Sequence, residues 1–349
     1  MEGCARALPG DAERRRLRIL VTGVTGFLGG RIAVRLAQAG HEVRGLVRAG
    51  STWSDRPERS DLATGDVTDP VSLDRAIAGT DAVVHCAAMV KPWAKDPSAF
   101  DTVNVGGLRH VLDAAKAANA RVFYTSSFLA LGPTDGATFD EATPRATAFA
   151  HNDYERTKWA ADRLAREAGA AGARIVRLYP GVAYGPGTLT AGNHVVQNLL
   201  LHARGKLPGM LGPGDRRMSL AFVDDVTAGY AAAVERAQDG SAYILGGDNR
   251  TLVELFRAFE AAAGVAPPKV RIPYAVAGLI GRMQRWRAEL FGTPPELTDQ
   301  IVRIYRREWA YSSALAEREL GYKITPLHEG IAQTVAWLRD RGELPREPA

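Results

Sequence analysis

Three glycines spaced three apart follow directly on an apolar, β-branched run near the start of the chain. Leu17-Arg18-Ile19-Leu20-Val21-Thr22 reads as a buried strand, Gly23, Gly26 and Gly29 come next, and Phe27, Leu28, Ile32, Val34 and Leu36 carry a helical pattern that closes at Gly40. A strand that turns sharply into a helix is the opening unit of a layered α/β fold. Glycine permits the tight turn and lets backbone approach a pyrophosphate. The helix N-terminus behind it supplies free N–H groups and a favourable dipole. A glycine-rich turn that binds nothing is the competing reading. The spacing is G-x-x-G-x-x-G, not the commoner G-x-G-x-x-G.

A second constellation lies downstream. Val122-Phe123-Tyr124-Thr125 reads as a strand with Ser126-Ser127 at its carboxyl end, the edge where open α/β sheets bind ligands. Tyr154 and Lys158 open a helical stretch that continues through Trp159, Ala160, Leu164 and Ala165. At i and i+4 their side chains share one face. A free tyrosine titrates near ~10. A neighbouring ammonium is expected to lower that value and let Tyr154 handle a proton at neutral pH. Ser127 is placed to hold a substrate oxygen. Tyr-x-x-x-Lys also arises by chance on any helix; its register with the glycine turn and the serine-bearing strand gives it weight.

With these residues together, the chain resembles the extended short-chain dehydrogenase/reductases of the NAD-dependent epimerase/dehydratase superfamily. It stands nearest their dihydroflavonol reductase-like and 3β-hydroxysteroid dehydrogenase-like branch. The similarity covers nearly the whole length. His85-Cys86-Ala87-Ala88 resembles the fourth-strand signature, Asn104-Val105-Gly106-Gly107 the N-V-x-G segment, and Arg177 to Gly187 the R-P-x-x-V-Y-G-P-G run. Phe222 to Val226 and Glu319 to Tyr322 also match. The resemblance implies a Rossmann-type doubly wound parallel sheet with a smaller C-terminal substrate lobe. It implies hydride transfer with Ser127, Tyr154 and Lys158 as the catalytic trio. Ser127 is preferred over Ser126 because it stands five residues before Gly132. Carried over position by position, it implies cofactor contacts from Gly23, Thr25, Gly26, Phe27, Leu28, Gly29, Arg48, Asp66, Val67, Ala87, Ala88, Tyr154, Lys158, Tyr179, Gly181 and Val182.

The second strand, Glu42 to Val47, ends without the acid that NAD-preferring enzymes place on the ribose hydroxyls; Val47 stands roughly there. Arg44 lies within the strand and Arg48 just past it. A guanidinium suits the 2′-phosphate of NADP, so NADP is the expected cofactor, with NAD as the alternative. Either arginine could instead be a solvated strand-end charge. Asp66, after a third short strand, is expected near the adenine.

Strand and helix patterns alternate from Leu17 to Tyr179, which argues for a parallel sheet covered on both faces. The expected organisation is a disordered tail at 1–16, a dinucleotide-binding domain at 17–180 to which the chain returns around 218–247, and a substrate lobe from 181–217 and 248–345. Against 39 acidic residues the 44 basic ones leave only +5, and aromatics do not interleave with a basic patch, so nucleic acid is not an expected partner. Two cysteines fit a reducing compartment, and Cys86 is expected in a buried strand. No metal-ligand spacing occurs among the seven histidines. No signal peptide and no run of ~20 apolar residues is seen; the expected location is cytoplasmic. Ala160, Ala161 and Ala165 suit either a homodimer contact through the Tyr-Lys helix or internal packing.

Substrate class follows mostly by exclusion. Nucleotide-sugar enzymes of this kind place an arginine seven residues before the second Asp of the V-x-D segment; here that position is Met218, with Arg216 and Arg217 beside it. Sugar dehydratases need an Asp-Glu pair after the active hydroxyl residue, where this chain has Phe128-Leu129. Residues 274–291 read as a helix with Val276, Leu279, Ile280, Met283, Trp286 and Leu290 at helical spacings, flanked by Arg282, Arg285 and Arg287. It could pack on the lobe, cover an apolar pocket, or touch a membrane surface. Phe149, His151 and Asn152 could face the substrate, with a solvated loop as the alternative for His151. The leading expectation is an NADP(H)-dependent oxidoreductase interconverting a ketone and a secondary alcohol on a hydrophobic or polycyclic small molecule. An epimerase that retains its cofactor comes next, and a non-catalytic NADP sensor last.

Overall fold

The computed structural model describes residues 16–345 apart from 146 and 148. Of the tail expected at 1–16, residues 1–15 lie outside the described residues, while Arg16 pairs with Glu42 at 3.2 Å. Seven strands form one sheet: β1 (Arg18–Thr22), β2 (Glu42–Val47), β3 (Ser60–Thr64), β4 (Ala82–His85), β5 (Arg121–Thr125), β6 (Ile175–Pro180) and β10 (Ala242–Leu245). Their order is β10-β6-β5-β4-β1-β2-β3, and every pairing is parallel. Helices on both faces explain the apolar runs. Ile19 and Val21 point into one core and Leu20 into the other, so β1 is buried on both sides. The strand order reverses between β1 and β4, which opens a crevice at the carboxyl ends of those two strands. The glycine turn leaves β1 there, and Ser127 leaves β5 one strand beyond.

A third core gathers residues mainly from beyond position 180. It surrounds a three-stranded sheet of β7 (Val182–Tyr184), β9 (Met218–Phe222) and β11 (Asp248–Arg250), with the short pair β8 (Met210–Leu211) and β12 (Arg271–Ile272) nearby. The return expected at 218–247 is therefore made to the large sheet by β10 alone; 218–222 pairs with β7 and β11 instead. Gly181 shows why. A Cβ there would lie 2.6 Å from the Ser219 carbonyl oxygen, so the absence of a side chain lets β9 close on the β6–β7 link.

The helix expected at 274–291 forms as Tyr274–Phe291, but not with its apolar stripe inward. Its buried positions are Ala277, Gly281 and Ala288. A Cβ on Gly281 would sit 2.4 Å from the amide nitrogen of Asp299, so the small-residue side is the one that can approach the next helix, Asp299–Tyr305. Among the described residues, no helix is long and apolar enough to cross a membrane.

Candidate active site

The glycine turn is seated on the end of β4. The Thr22 hydroxyl oxygen accepts from the amides of Cys86 at 3.2 Å and Ala87 at 3.0 Å, and pairs with His85 Nδ1 at 2.9 Å. Burial holds the His85 imidazole down to about 3, hence neutral. Gly23 has φ +76, and a Cβ on it would lie 2.8 Å from the Ala87 amide nitrogen. One on Gly29 would lie 2.4 Å from the Gly23 carbonyl oxygen. Cys86 follows β4 rather than lying within it, half-buried, its Sγ 3.1 Å from Thr125 Oγ1.

The helix that begins at Phe27 has Gly26 at its N-cap, no side-chain cap and no acid in its first turn. Its free amides meet a backbone cradle that side chains would fill, and this fits a dinucleotide pyrophosphate. Thr25 and Leu28 are half-buried at this turn, whereas the Phe27 side chain is buried beneath it, its ring where a Cβ on Gly187 would fall.

The two arginines of the β2 segment separate cleanly. Arg44 donates to the carbonyls of Ala76 at 2.9 Å and Ala78 at 3.2 Å, closing the end of a helix. Arg48 is exposed, and no side-chain hydrogen bond or ion pair engages it among the described residues. Asp66 uses Oδ1 to accept from the amide and hydroxyl of Thr68. Val67 is buried against Gly107. Tyr179 is fully buried and its hydroxyl accepts from Arg166 and Arg177, so only its backbone can face a ligand. Gly181 and Val182 follow at the end of β6, and Ala87 and Ala88 at the end of β4.

The three expected catalytic side chains come together. Ser127, extended at φ −159, caps the short helix Phe128–Leu131 by accepting from the Leu129 amide at 3.2 Å. The Tyr154 phenol lies close enough to Ser127 to feel its hydroxyl. Tyr154 stands in the first turn of the helix Asp153–Ala170, whose N-cap Asn152 accepts from the Glu155 amide at 2.7 Å. Lys158, one turn on, is buried, donates from Nζ to the Thr125 carbonyl at 2.6 Å and lies 5.0 Å from the centre of the Tyr124 ring. The expected lowering of the Tyr154 pKa by Lys158 is not found. Desolvation pushes the phenol up to about 12, and only the nearby Ser127 hydroxyl opposes it. Burial brings Lys158 itself down to about 8, with the Cys86 and Asp162 charges opposing. The reason is geometric: the ammonium is committed to the Thr125 carbonyl and the Tyr124 face.

Several supporting residues were not anticipated. Glu155, fully buried, meets Arg145 at 2.5 Å and His151 Nδ1 at 2.8 Å. Arg145 also donates to the carbonyls of Leu129, Thr147 and Phe149, tying the loop before Tyr154 to the segment after Ser127. His151 is therefore not a solvated loop residue; its ring meets Phe149 and Trp309 edge-on, and Trp309 in turn meets Phe128. Phe149 is exposed and Asn152 buried. Asn104 accepts from the Met89 amide at 2.7 Å and donates to Thr157 at 2.9 Å, joining the loop after β4 to the Tyr154 helix. Spacing alone marks only the His151–Glu155 pair, at i and i+4; nothing in the loop pattern signals Arg145. Ala161 and Ala165 pack internally.

Fold and site together define an NAD(P)-dependent oxidoreductase acting on CH–OH groups. The chain belongs to the NAD dependent epimerase/dehydratase family, whose model matches residues 19–246. It is 30% identical over 326 residues to the 3 beta-hydroxysteroid dehydrogenase/Delta 5→4-isomerase of Mycobacterium tuberculosis, covering 88% of this chain and 86% of that protein. A Synechocystis protein provisionally named dihydroflavonol 4-reductase is 29% identical over 335 residues, 92% of this chain and 94% of its own. The crystal structure of gox2253 superposes with a TM-score of 0.78 at 31% identity, over 95% of this chain and 100% of that one.

Proposed function

We propose that this protein interconverts a ketone and a secondary alcohol on a lipophilic substrate, with NADP(H) as its cofactor. The observation that carries the reading is the placement of Ser127 and Tyr154 together near buried Lys158, at the carboxyl edge of a parallel sheet whose glycine turn would cradle a pyrophosphate. NADP(H), when bound, supplies or accepts the hydride. Gly23, Thr25, Gly26, Leu28 and Gly29 would hold its diphosphate. Arg48, whose side chain meets no hydrogen-bond or ion-pair partner among the described residues, would hold the 2′-phosphate, while Arg44 is already committed to carbonyls. Asp66, Val67, Ala87, Ala88 and the Tyr179–Val182 backbone would line the remaining length, with the chain beyond residue 180 forming most of a substrate lobe.

The chain's own groups suit reduction. A phenol pushed up to about 12 stays protonated at neutral pH and can deliver its proton to a carbonyl oxygen that Ser127 holds. Lys158, held on the Thr125 carbonyl, would bind the nicotinamide ribose from beneath the site. Two features support a lipophilic substrate over a nucleotide-sugar. Met218 is buried in β9 where a diphosphate-binding arginine would stand, and the adjacent Arg217 is held by Glu308 at 3.0 Å. Phe128, half-buried next to Ser127, is backed by the buried rings of Trp309 and Tyr311. Similarity to a steroid dehydrogenase points the same way.

The test mixes purified protein with NADPH or NADH and a panel of sterol, β-keto acid and dihydroflavonol ketones, following near-ultraviolet absorbance. Sustained loss of absorbance with NADPH is expected, falling by roughly 10²–10⁴ in Tyr154→Phe and shifting toward NADH in Arg48→Ala. Turnover of nucleotide-sugars without net cofactor consumption would favour the epimerase instead.

A further inference from the structure

The helix Tyr274–Phe291 is packed inside out. Val276, Leu279, Met283, Trp286 and Leu290 follow at intervals of three, four, three and four, so they form one stripe along a helix of about 27 Å. Each is exposed, at 48, 62, 55, 59 and 57% respectively, and Phe291 beside them at 72%. Other exposed large apolar residues, such as Leu62, Val71 and Leu201, are scattered over different elements. Contiguous apolar surface of this kind marks a contact face.

The charges bordering the stripe say what covers it. On a helical projection Arg282 lies along one edge and Arg287 along the other. Both are exposed, and neither is engaged in a hydrogen bond or ion pair among the described residues. The third arginine, Arg285, turns away toward Asp299 at 3.1 Å and Glu289 at 3.7 Å. Glu289, the one acid within the helix, is half-exposed and has Arg285 as its nearest cation. What remains outward is an apolar band centred near a tryptophan and edged by two unanswered guanidiniums, the pattern that lies in a lipid interface. A second copy fits less well. Laid parallel along the stripe, it would set Arg282 of one helix against Arg287 of the other.

We propose that the outward face of this helix docks the protein on an anionic lipid bilayer. The buried side of the same helix rests on Asp299–Tyr305, with the Tyr274 hydroxyl donating to the Tyr305 carbonyl at 2.9 Å. That second helix runs on to Trp309, whose ring meets Phe128 beside Ser127. The docking face is thus connected through one short helix to the aromatic pair beside Ser127, and a substrate resident in the bilayer would suit such a protein. This last consequence rests on the proposed ketone reduction; the docking itself does not.

The experiment sediments the full chain with vesicles of phosphatidylcholine, and of phosphatidylcholine mixed with phosphatidylglycerol. Reduction of a water-soluble ketone is followed in parallel. Binding is expected to the mixed vesicles and to weaken with added salt. It should drop by about tenfold or more in R282E/R287E and vanish in M283S/W286S. Both double variants alter exposed side chains, so their thermal melts and turnover of the soluble ketone should match the parent. Three results overturn the proposal: no binding to either vesicle, unchanged binding in M283S/W286S, or light scattering that shows a dimer which M283S/W286S splits. The last would give the face to a second copy. Failure of the soluble assay alone would strike the ketone-reductase reading and leave the docking result standing.

Discussion

Glu155 follows Tyr154 in the chain and serves it from beneath. Its carboxylate has no exposure and neutralises Arg145 while fixing His151. Breaking a buried pair from one side leaves an unanswered charge, so Glu155→Ala is expected to cost about 3–5 kcal/mol in denaturant unfolding. Glu155→Gln, which keeps the shape and one acceptor, should cost less. A loss within surface-residue range would show that Arg145 finds another partner. Periodicity put Ser127 at a strand end and Tyr154 and Lys158 on one helix face, and the family resemblance singled the three out. Arg145 was not legible in the sequence, because it reaches Glu155 from an irregular loop that carries no period. The expectation that Lys158 lowers the Tyr154 pKa failed for a related reason: i, i+4 spacing fixes a common face, not where a long side chain ends. Arg44 and Arg48 looked equivalent in sequence, and only the carbonyls of Ala76 and Ala78 tell them apart.

Among elements, the glycine turn and the Tyr274–Phe291 helix mark the two limits of sequence reading. The turn was legible because its constraint is local: Gly29 must pass within reach of the Gly23 carbonyl whatever else the chain does. Gly29→Ala is therefore expected to push the start of the Phe27–Gln38 helix away from the turn. Titration with NADPH should show cofactor binding weakened by at least ~tenfold, equivalent to 1.4 kcal/mol, with circular dichroism little changed; unaltered binding would remove the turn from the cofactor site. The later helix was read to its end residues, yet which of its faces packs was left open. Apolar spacing identifies a stripe, but Gly281 and its close approach to Asp299 decide which side packs. The β9 strand was likewise found in place and assigned to the wrong sheet, because strand patterning does not name a partner.

Across the whole molecule, two buried bases make stability depend on pH. His85 is held down to about 3 in the fold against 6.5 when free, so the unfolded chain binds more protons between those values. The stability it confers is complete above about pH 6.5 and is lost as pH falls toward 3. Lys158, at about 8 in the fold against 10.5, adds a penalty that is present below about pH 8 and fades as pH rises past it. Urea midpoints should thus fall on acidification from pH 7 to 4.5, and fall less in His85→Asn, which retains an acceptor for Thr22. Equal slopes in the two proteins would place the acid sensitivity elsewhere. The parallel sheet itself was legible from the alternation of strand and helix patterns. The dependence of the glycine turn on His85 and Thr22 was not, since it exists only once β1 and β4 lie side by side.

Gly281 leaves the fold almost indifferent to the large side chains on the far side of its helix. Core residues answer to their neighbours, but Val276, Leu279, Met283, Trp286 and Leu290 leave about half or more of their surface outside the fold. Descendants of this sequence could therefore exchange that stripe residue by residue, retuning where the protein resides, without renegotiating either its stability or its chemistry.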